Sequence, residues 1–500
     1  MNNYLKMLSS KNNNPTPESQ TTSIIIFWLF FWFCWDILLY LLYYYLSPCN
    51  SFSILSMMGF IAWLQFFLSL LSYYQVFSLI ICPYNVFLLF LFLFSLGQTL
   101  LYPFNAVSPE RDLLNNLTLN INNDSIFQAQ YVSLLFVSGM HIGALIAGFF
   151  ASKPEKSAKY NKDIMLSSMN LAGIFLLVIS TPAFIISTIS TIITVSRFGY
   201  GEIYAMEDSI GLEKIFMWWS NYFIPSILCL MTANYKNSRR RNFLLFILVI
   251  YILIGFFIGG RTPSVVILCI LVLYFHYAIR PLNLKKIFLT MVCALITINI
   301  CVNVAETRLN SSRSFYELFL FNTEEGKNVL SPVGELFSEC GWSMFPLLAS
   351  QVLFPATESF RLGSSYAYAF LSLIPNLNFW PIHPAKVHSN WGDWLQEILR
   401  MSYGPGFSTV AEAYVNFGIY GFFFCIFYGF IQNCIFKSLR KETIDLNPIL
   451  FFCILLYLQL TLPVIRNSFL GTVRVVGFYI IPIIVVILFI YYENLRRHRH

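Results

Sequence analysis

The chain has 500 residues, of which 57% are hydrophobic and only 11% charged. A soluble domain carries about 25% charged residues, so the solvent for this much apolar surface is a lipid bilayer. The net charge of +7 is split into short clusters between apolar runs, which argues against nucleic acid as a partner and for membrane lipid.

Residues 1–23 are polar and rich in Asn, Ser and Thr, and they read as a disordered cytoplasmic tail without a cleavable signal. Runs of roughly 20 apolar residues, enough to cross about 30 Å of hydrocarbon, follow at 24–46, 52–71, 79–101, 131–151, 164–191, 215–233, 243–258, 264–279, 286–305, 408–436, 447–465 and 473–492. Backbone groups in hydrocarbon must pair within their own segment, so each run is expected to be a helix. With the N-terminus in the cytoplasm, inside segments hold nineteen of the 31 Lys and Arg and outside segments twelve, and no cation is stranded within a span. The expected fold is therefore an all-α polytopic membrane protein with about 12 transmembrane helices. Helices 1–9 lie in 24–305, a large outer loop in 306–407, helices 10–12 in 408–492, and a basic cytoplasmic tail in 493–500.

A connection of about 100 residues is usually functional or disordered. This one contains amphipathic pieces and is expected to be partly helical. "SPVGELFSECGW" begins like a helix with Ser331 as N-cap and Pro332 at N1, and it places Glu335, Glu339 and Trp342 on one face. "SNWGDWLQEILR" reads as a second short helix. Among the eleven cysteines there is no Cys-x-x-Cys. Only Cys49 and Cys340 fall on the oxidising side, no disulfide is expected between them, and the others read as small hydrophobes.

The junction "GGRTP" at 259–263 joins two apolar runs, with Thr262-Pro263 reading as N-cap and N1 of the eighth helix. An arginine beside an outward helix N-terminus, next to two glycines that admit close approach, suits an anion such as phosphate. The plainer reading is an interfacial arginine reaching to head groups. Arg308, Arg313, Arg466 and Arg474 stand at the same outer level. Together they would neutralise a diphosphate, or serve separately as head-group anchors.

Candidate general bases are Glu339, Glu412 within the tenth helix, and His383; the alternative for each is a salt bridge or a solvated face. Trp391 and Trp394 would stack on sugar rings, or belong to an interfacial aromatic belt. No Asp-x-Asp, His/Cys metal spacing, P-loop or Gly-x-Ser-x-Gly occurs.

The helix count, the late outer loop, "GGRT" at an outer helix junction and "FSTVAEAYVNFGIYG" after the loop resemble the Wzy-type O-antigen and repeat-unit polymerases. The likeness covers most of the chain in layout and these two stretches in letters. It implies a GT-C-like membrane glycosyltransferase of the bacterial cytoplasmic (inner) membrane, multi-pass with both termini cytoplasmic. The substrate would be undecaprenyl diphosphate-linked oligosaccharide, polymerised on the outer face by inverting transfer, with no cofactor and no metal. A Wzz-like chain-length co-polymerase is the implied partner. The alternatives are an O-antigen ligase, which shares the donor, and a lipid-linked oligosaccharide flippase, which ought to carry charge within its spans.

Overall fold

The computed structural model describes residues 17–116, 119, 121–150, 161–198, 218–307, 331–376, 379–401 and 404–497. Among them no strand occurs, and eleven helices are long and apolar enough to cross a membrane. The first half comprises α1 (Pro17–Leu46), α2 (Phe52–Phe77), α3 (Pro83–Leu101), α4 (Asn123–Ile146), α5 (Lys162–Phe198), α6 (Phe223–Ala233), α7 (Ser238–Ile258), α8 (Arg261–Tyr274) and α9 (Leu284–Thr307). The outer loop folds into five short helices: α10 (Ser331–Gly341), α11 (Phe345–Leu353), α12 (Ser364–Leu371), α13 (Pro384–Ser389) and α14 (Trp391–Ile398). The C-terminal part holds α15 (Thr409–Phe417), α16 (Gly421–Phe436), α17 (Thr443–Leu446), α18 (Pro448–Thr461), α19 (Phe469–Val475) and α20 (Ile481–Arg497).

Three boundaries differ from the sequence expectation. Helix α1 begins at Pro17, inside the segment read as a disordered tail, whose first 16 residues lie outside the described ones. Among the described residues of the sixth run, a turn at 221–222 follows the helical residues 218–220, and the 11-residue α6, shorter than a span, packs along α5. The tenth run is not one rod: the chain bends between α15 and α16 at Gly418, whose φ of 57° is the left-handed region glycine tolerates.

Helix α4 is the hub, packed against α1, α2, α3 and α16. Its closest neighbour is α16. A Cβ at Gly143 would overlap the Ile426 carbonyl, and one at Gly429 would overlap the Met140 carbonyl. In lipid, helices associate through such small-residue contacts and through polar pairs. The polar pairs are present: Tyr73 donates to Asn433 at 2.9 Å, Asn433 donates to the Ala144 carbonyl at 2.7 Å, and His141 lies between Ser72 (2.7 Å) and Tyr84 (2.8 Å). Outward-facing positions such as Phe27, Phe30, Phe60 and Phe67 are exposed, as lipid-facing side chains are.

The two ends of the bundle differ. At one end Lys162 and Tyr235 both reach Asp445, at 2.7 and 2.6 Å, and Lys437 caps the carbonyls of Ala147 and Phe150. This end carries Arg239, Arg240 and Arg241, the cationic bias that the positive-inside rule expects of a cytoplasmic face. The opposite end carries the short helices α10–α14.

Candidate functional site

The site lies where α10 docks on the outer end of α3. Two glycines make the approach possible: a Cβ at Gly97 would sit 2.6 Å from the Phe337 carbonyl, and one at Gly341 would overlap the Gln98 nitrogen. Gln98 is the clip. Its amide donates to the carbonyls of Arg111 (2.6 Å) and Ser338 (3.0 Å), and its oxygen accepts from the Leu113 N–H (3.1 Å). The Ser108 N–H donates to the Ser338 hydroxyl at 3.1 Å. These bonds hold the 105–115 loop and α10 in one register, and so fix Arg111 against Glu339.

Arg261 arrives from the α7–α8 junction. Gly259 closes α7 with φ 113°, and the N–H groups of Gly259 and Gly260 both return to the Gly255 carbonyl. Gly260, not Thr262, occupies the N-cap position, and Pro263 falls two residues inside the helix. Proline fits there because N–H groups of a first turn have no intrahelical partner to lose. The result is that Arg261 is the first helical residue and its side chain turns back over the outer rim.

Glu339 receives both guanidinium nitrogens of Arg261, one on each oxygen, and Arg111 at 2.8 Å. Arg261 also donates to the Cys301 carbonyl at 3.3 Å. The three side chains are only 15–24% exposed. A bidentate fork plus a second guanidinium holds this carboxylate ionised, and two arginines on one carboxylate leave the trio with one net positive charge. Arg466 lies over the Phe94 ring at 5.6 Å and is exposed. The neighbouring Cys340 thiol registers all of these charges. Burial, then Glu339, pushes its pKa up to about 12, against the opposing pull of Arg466, Arg261 and Arg111.

Of the expected anion-binding residues, Arg261 binds Glu339, and Arg466 stands over Phe94 within electrostatic reach of Cys340. Arg111 joins Arg261 on Glu339, and its one signal in the sequence is its place as the sole Lys or Arg between Lys11 and Lys153. Arg308 and Arg313 lie outside the described residues. Arg474 is exposed on α19, within electrostatic reach of Asp393.

The other candidates form a second cluster. Glu412 is 1% exposed. One oxygen accepts from the Ser365 hydroxyl at 3.0 Å and the other from the Phe469 N–H, the first amide of α19. Asn416 binds Ser365 at 2.8 Å and accepts from the Gly363 N–H at 3.0 Å, and Ser389 donates to the Ser365 carbonyl at 2.6 Å. This knot ties α12, α13, α15 and α19 together. His383 is the N-cap of α13: one ring nitrogen accepts from the Ala385 N–H at 3.1 Å and the other faces the Ile374 carbonyl at 3.0 Å. Trp391 is 3% exposed and stacked on Phe407, with Trp394 edge-on to it and half-buried. The clusters meet at Arg466, whose carbonyl accepts from the Phe407 N–H at 3.4 Å.

Among the described residues no group of three or more His, Cys, Asp and Glu side chains is placed to hold a metal ion. What the outer site offers is fixed positive charge beside one carboxylate, open to the face where α10–α14 lie. Comparison with curated proteins and with solved structures found no match. The family model of the O-antigen polysaccharide polymerase Wzy matches residues 24–497, nearly the whole chain. The chain belongs to the O-antigen polysaccharide polymerase Wzy family.

Proposed function

We propose that this polymerase joins undecaprenyl diphosphate-linked oligosaccharide repeat units on the outer face of the bacterial inner membrane, and that the cluster around Glu339 is its catalytic centre. The observation that carries the reading is the convergence of Arg111 and Arg261 on one carboxylate, with Arg466 beside it. The incoming diphosphate competes with Glu339 for the guanidiniums. As the anomeric C–O bond to the diphosphate breaks, charge grows on the leaving group, and preorganised cations stabilise that growth. The acceptor sugar hydroxyl attacks the anomeric carbon from the opposite side, which inverts it. The hydroxyl proton passes to Glu339, freed from its arginines, and undecaprenyl diphosphate leaves.

Glu412 serves in this reading as the tie between the outer loop and α19, since both its oxygens are engaged by Ser365 and Phe469. Direct evidence would come from the purified full-length protein given lipid-linked repeat units: a ladder of products with release of undecaprenyl diphosphate is expected. In the cell, loss of the gene should leave surface glycolipid capped by a single repeat unit. Caps absent altogether would point to a ligase or flippase, and an unchanged ladder would reject the assignment.

A further inference from the structure

A cavity of about 630 Å³ lies between α12, α16, α18 and α19, and none of Arg111, Arg261 and Glu339 lines it. It falls within the roughly 300–1,000 Å³ of small-molecule sites. Its lining on α16 runs from Phe424 to Ile435, a rise of about 16 Å, or half the hydrocarbon thickness. The exposed rim residues Phe370, Phe427 and Ile431 open it sideways toward lipid.

Among the polar side chains in the wall, Tyr457 donates to Gln432 at 3.1 Å, while two hydroxyls at the outer end have no partner. Thr472, itself 8% exposed, has a buried hydroxyl without a hydrogen-bond partner, and so has Tyr366. The Tyr366 ring is fixed by stacking on Phe424 at 4.2 Å and by an edge contact with Phe469 at 5.2 Å, so its hydroxyl cannot swing away to water. A buried hydroxyl left unpaired costs about 1–3 kcal/mol, and two at one end of a cavity mark where a polar group of a ligand belongs. Lower down, the wall widens where the helix makes a π-turn over Val476–Ile480, both of which line it. Such turns recur at functional sites.

We propose that this groove holds the phosphate-proximal part of the polyprenyl tail of the lipid-linked substrate, with the Tyr366 and Thr472 hydroxyls donating to its head and the rest of the tail running out into the bilayer. The proposal rests on the polymerase reading for the identity of the lipid. A single flexible chain with a polar head in the outer leaflet matches a groove that is apolar below and hydroxyl-lined above.

The test uses full-length protein in nanodiscs, with native mass spectrometry reading retention of undecaprenyl diphosphate against phosphatidylglycerol as competitor. Ile431→Trp, at the exposed rim, should occlude the groove and weaken retention about tenfold or more. Thr472→Val, which keeps the shape and removes one donor, should weaken it about threefold to tenfold, and it carries the test if Ile431→Trp does not fold. Phosphatidylglycerol should not displace the diphosphate lipid. Undiminished retention in the folded variants, or equal displacement by phosphatidylglycerol, overturns the proposal. Binding is read without turnover, so a wild-type chain that binds in this way yet makes no polymer refutes the polymerase reading and leaves the groove standing.

Discussion

Glu339→Gln separates the two jobs assigned to one carboxylate. The side chain keeps its size but loses its charge, and an amide NH2 replaces one of the oxygens that face guanidinium groups. The trio's net charge rises from one to two. At an effective dielectric of about 20, one unit of charge roughly 5 Å from a diphosphate is worth about 3 kcal/mol. The partial exposure of the three side chains, 15–24%, reduces this, and about 1.4 kcal/mol remains a conservative figure, or a tenfold tighter Kd for undecaprenyl diphosphate. Loss of the proton acceptor should lower kcat by about 10²–10⁴. Isothermal titration with the diphosphate lipid and a gel-based polymerisation assay read the two effects independently. Tighter binding with collapsed turnover is the expected pair. Turnover near wild type would remove Glu339 as the base. Binding that weakens together with turnover would show that the carboxylate merely positions the arginines.

Other outcomes follow from the same contacts. Arg261→Ala should abolish long chains at unchanged protein level, and Arg261→Lys should leave short ladders, because an ammonium cannot reproduce the two-pronged bond; immunoblots and polysaccharide gels report both. Gly429→Leu should prevent folding, since even a Cβ overlaps the Met140 carbonyl, whereas a Cβ at Gly260 meets nothing nearer than 3.7 Å and Gly260→Ala should stay within about 0.5 kcal/mol of wild type. At the opposite end, the hydrogen bond from Lys162, aided by Tyr235, holds the Asp445 carboxyl below its usual 3.8. A depressed carboxyl stabilises the fold above that unfolded value and loses the contribution as pH falls through its folded pKa. The pH dependence of detergent-solubilised stability below about pH 4 should therefore flatten in Asp445→Asn.

Much of the architecture was legible because lipid imposes it. Apolar runs of the right length became helices, and "SPVGELFSECGW" became α10 because a Ser-Pro start and a four-residue acidic spacing are local signals. The sixth run satisfies length and apolarity, but a turn at Asn221 and Tyr222 separates the helical residues 218–220 from α6. The Gly139-x-x-x-Gly143 and Gly421–Gly429 spacings are small-residue signals of the central crossing that lie in the sequence itself. The partners of Glu339 were not readable. Arg111 lies 228 positions away and Arg261 lies 78, and no periodicity within a helix carries information across such gaps. His383 shows the converse: its ring suggested a base, while the Pro384 that follows is an ordinary sign of a helix start.

The way α10 is seated bears on why a carboxylate should be stored between two arginines at all. Unpaired guanidiniums at the edge of a bilayer would repel one another and invite any anionic head group. In the proposed mechanism Glu339 neutralises one of the two charges until substrate enters, so that the site is assembled before it is filled. Release of that carboxylate need not move the backbone. Gly97 and Gly341 leave no gap between α3 and α10, and Gln98 binds the loop on one side and Ser338 on the other. In the proposed mechanism the Glu339 side chain turns about its own bonds once the diphosphate has displaced it from Arg111 and Arg261. Once a diphosphate has taken Arg111 and Arg261, the carboxylate therefore stays within one side-chain rotation of the phosphates, and hence beside the carbon bonded to them. A base further off, such as one on α13, would need the loop to unseat first. If Gly341→Ala, which forces α10 off α3, abolishes turnover while undecaprenyl diphosphate is still retained, the rigidity of that seat is part of catalysis; if turnover survives, proton transfer does not depend on it.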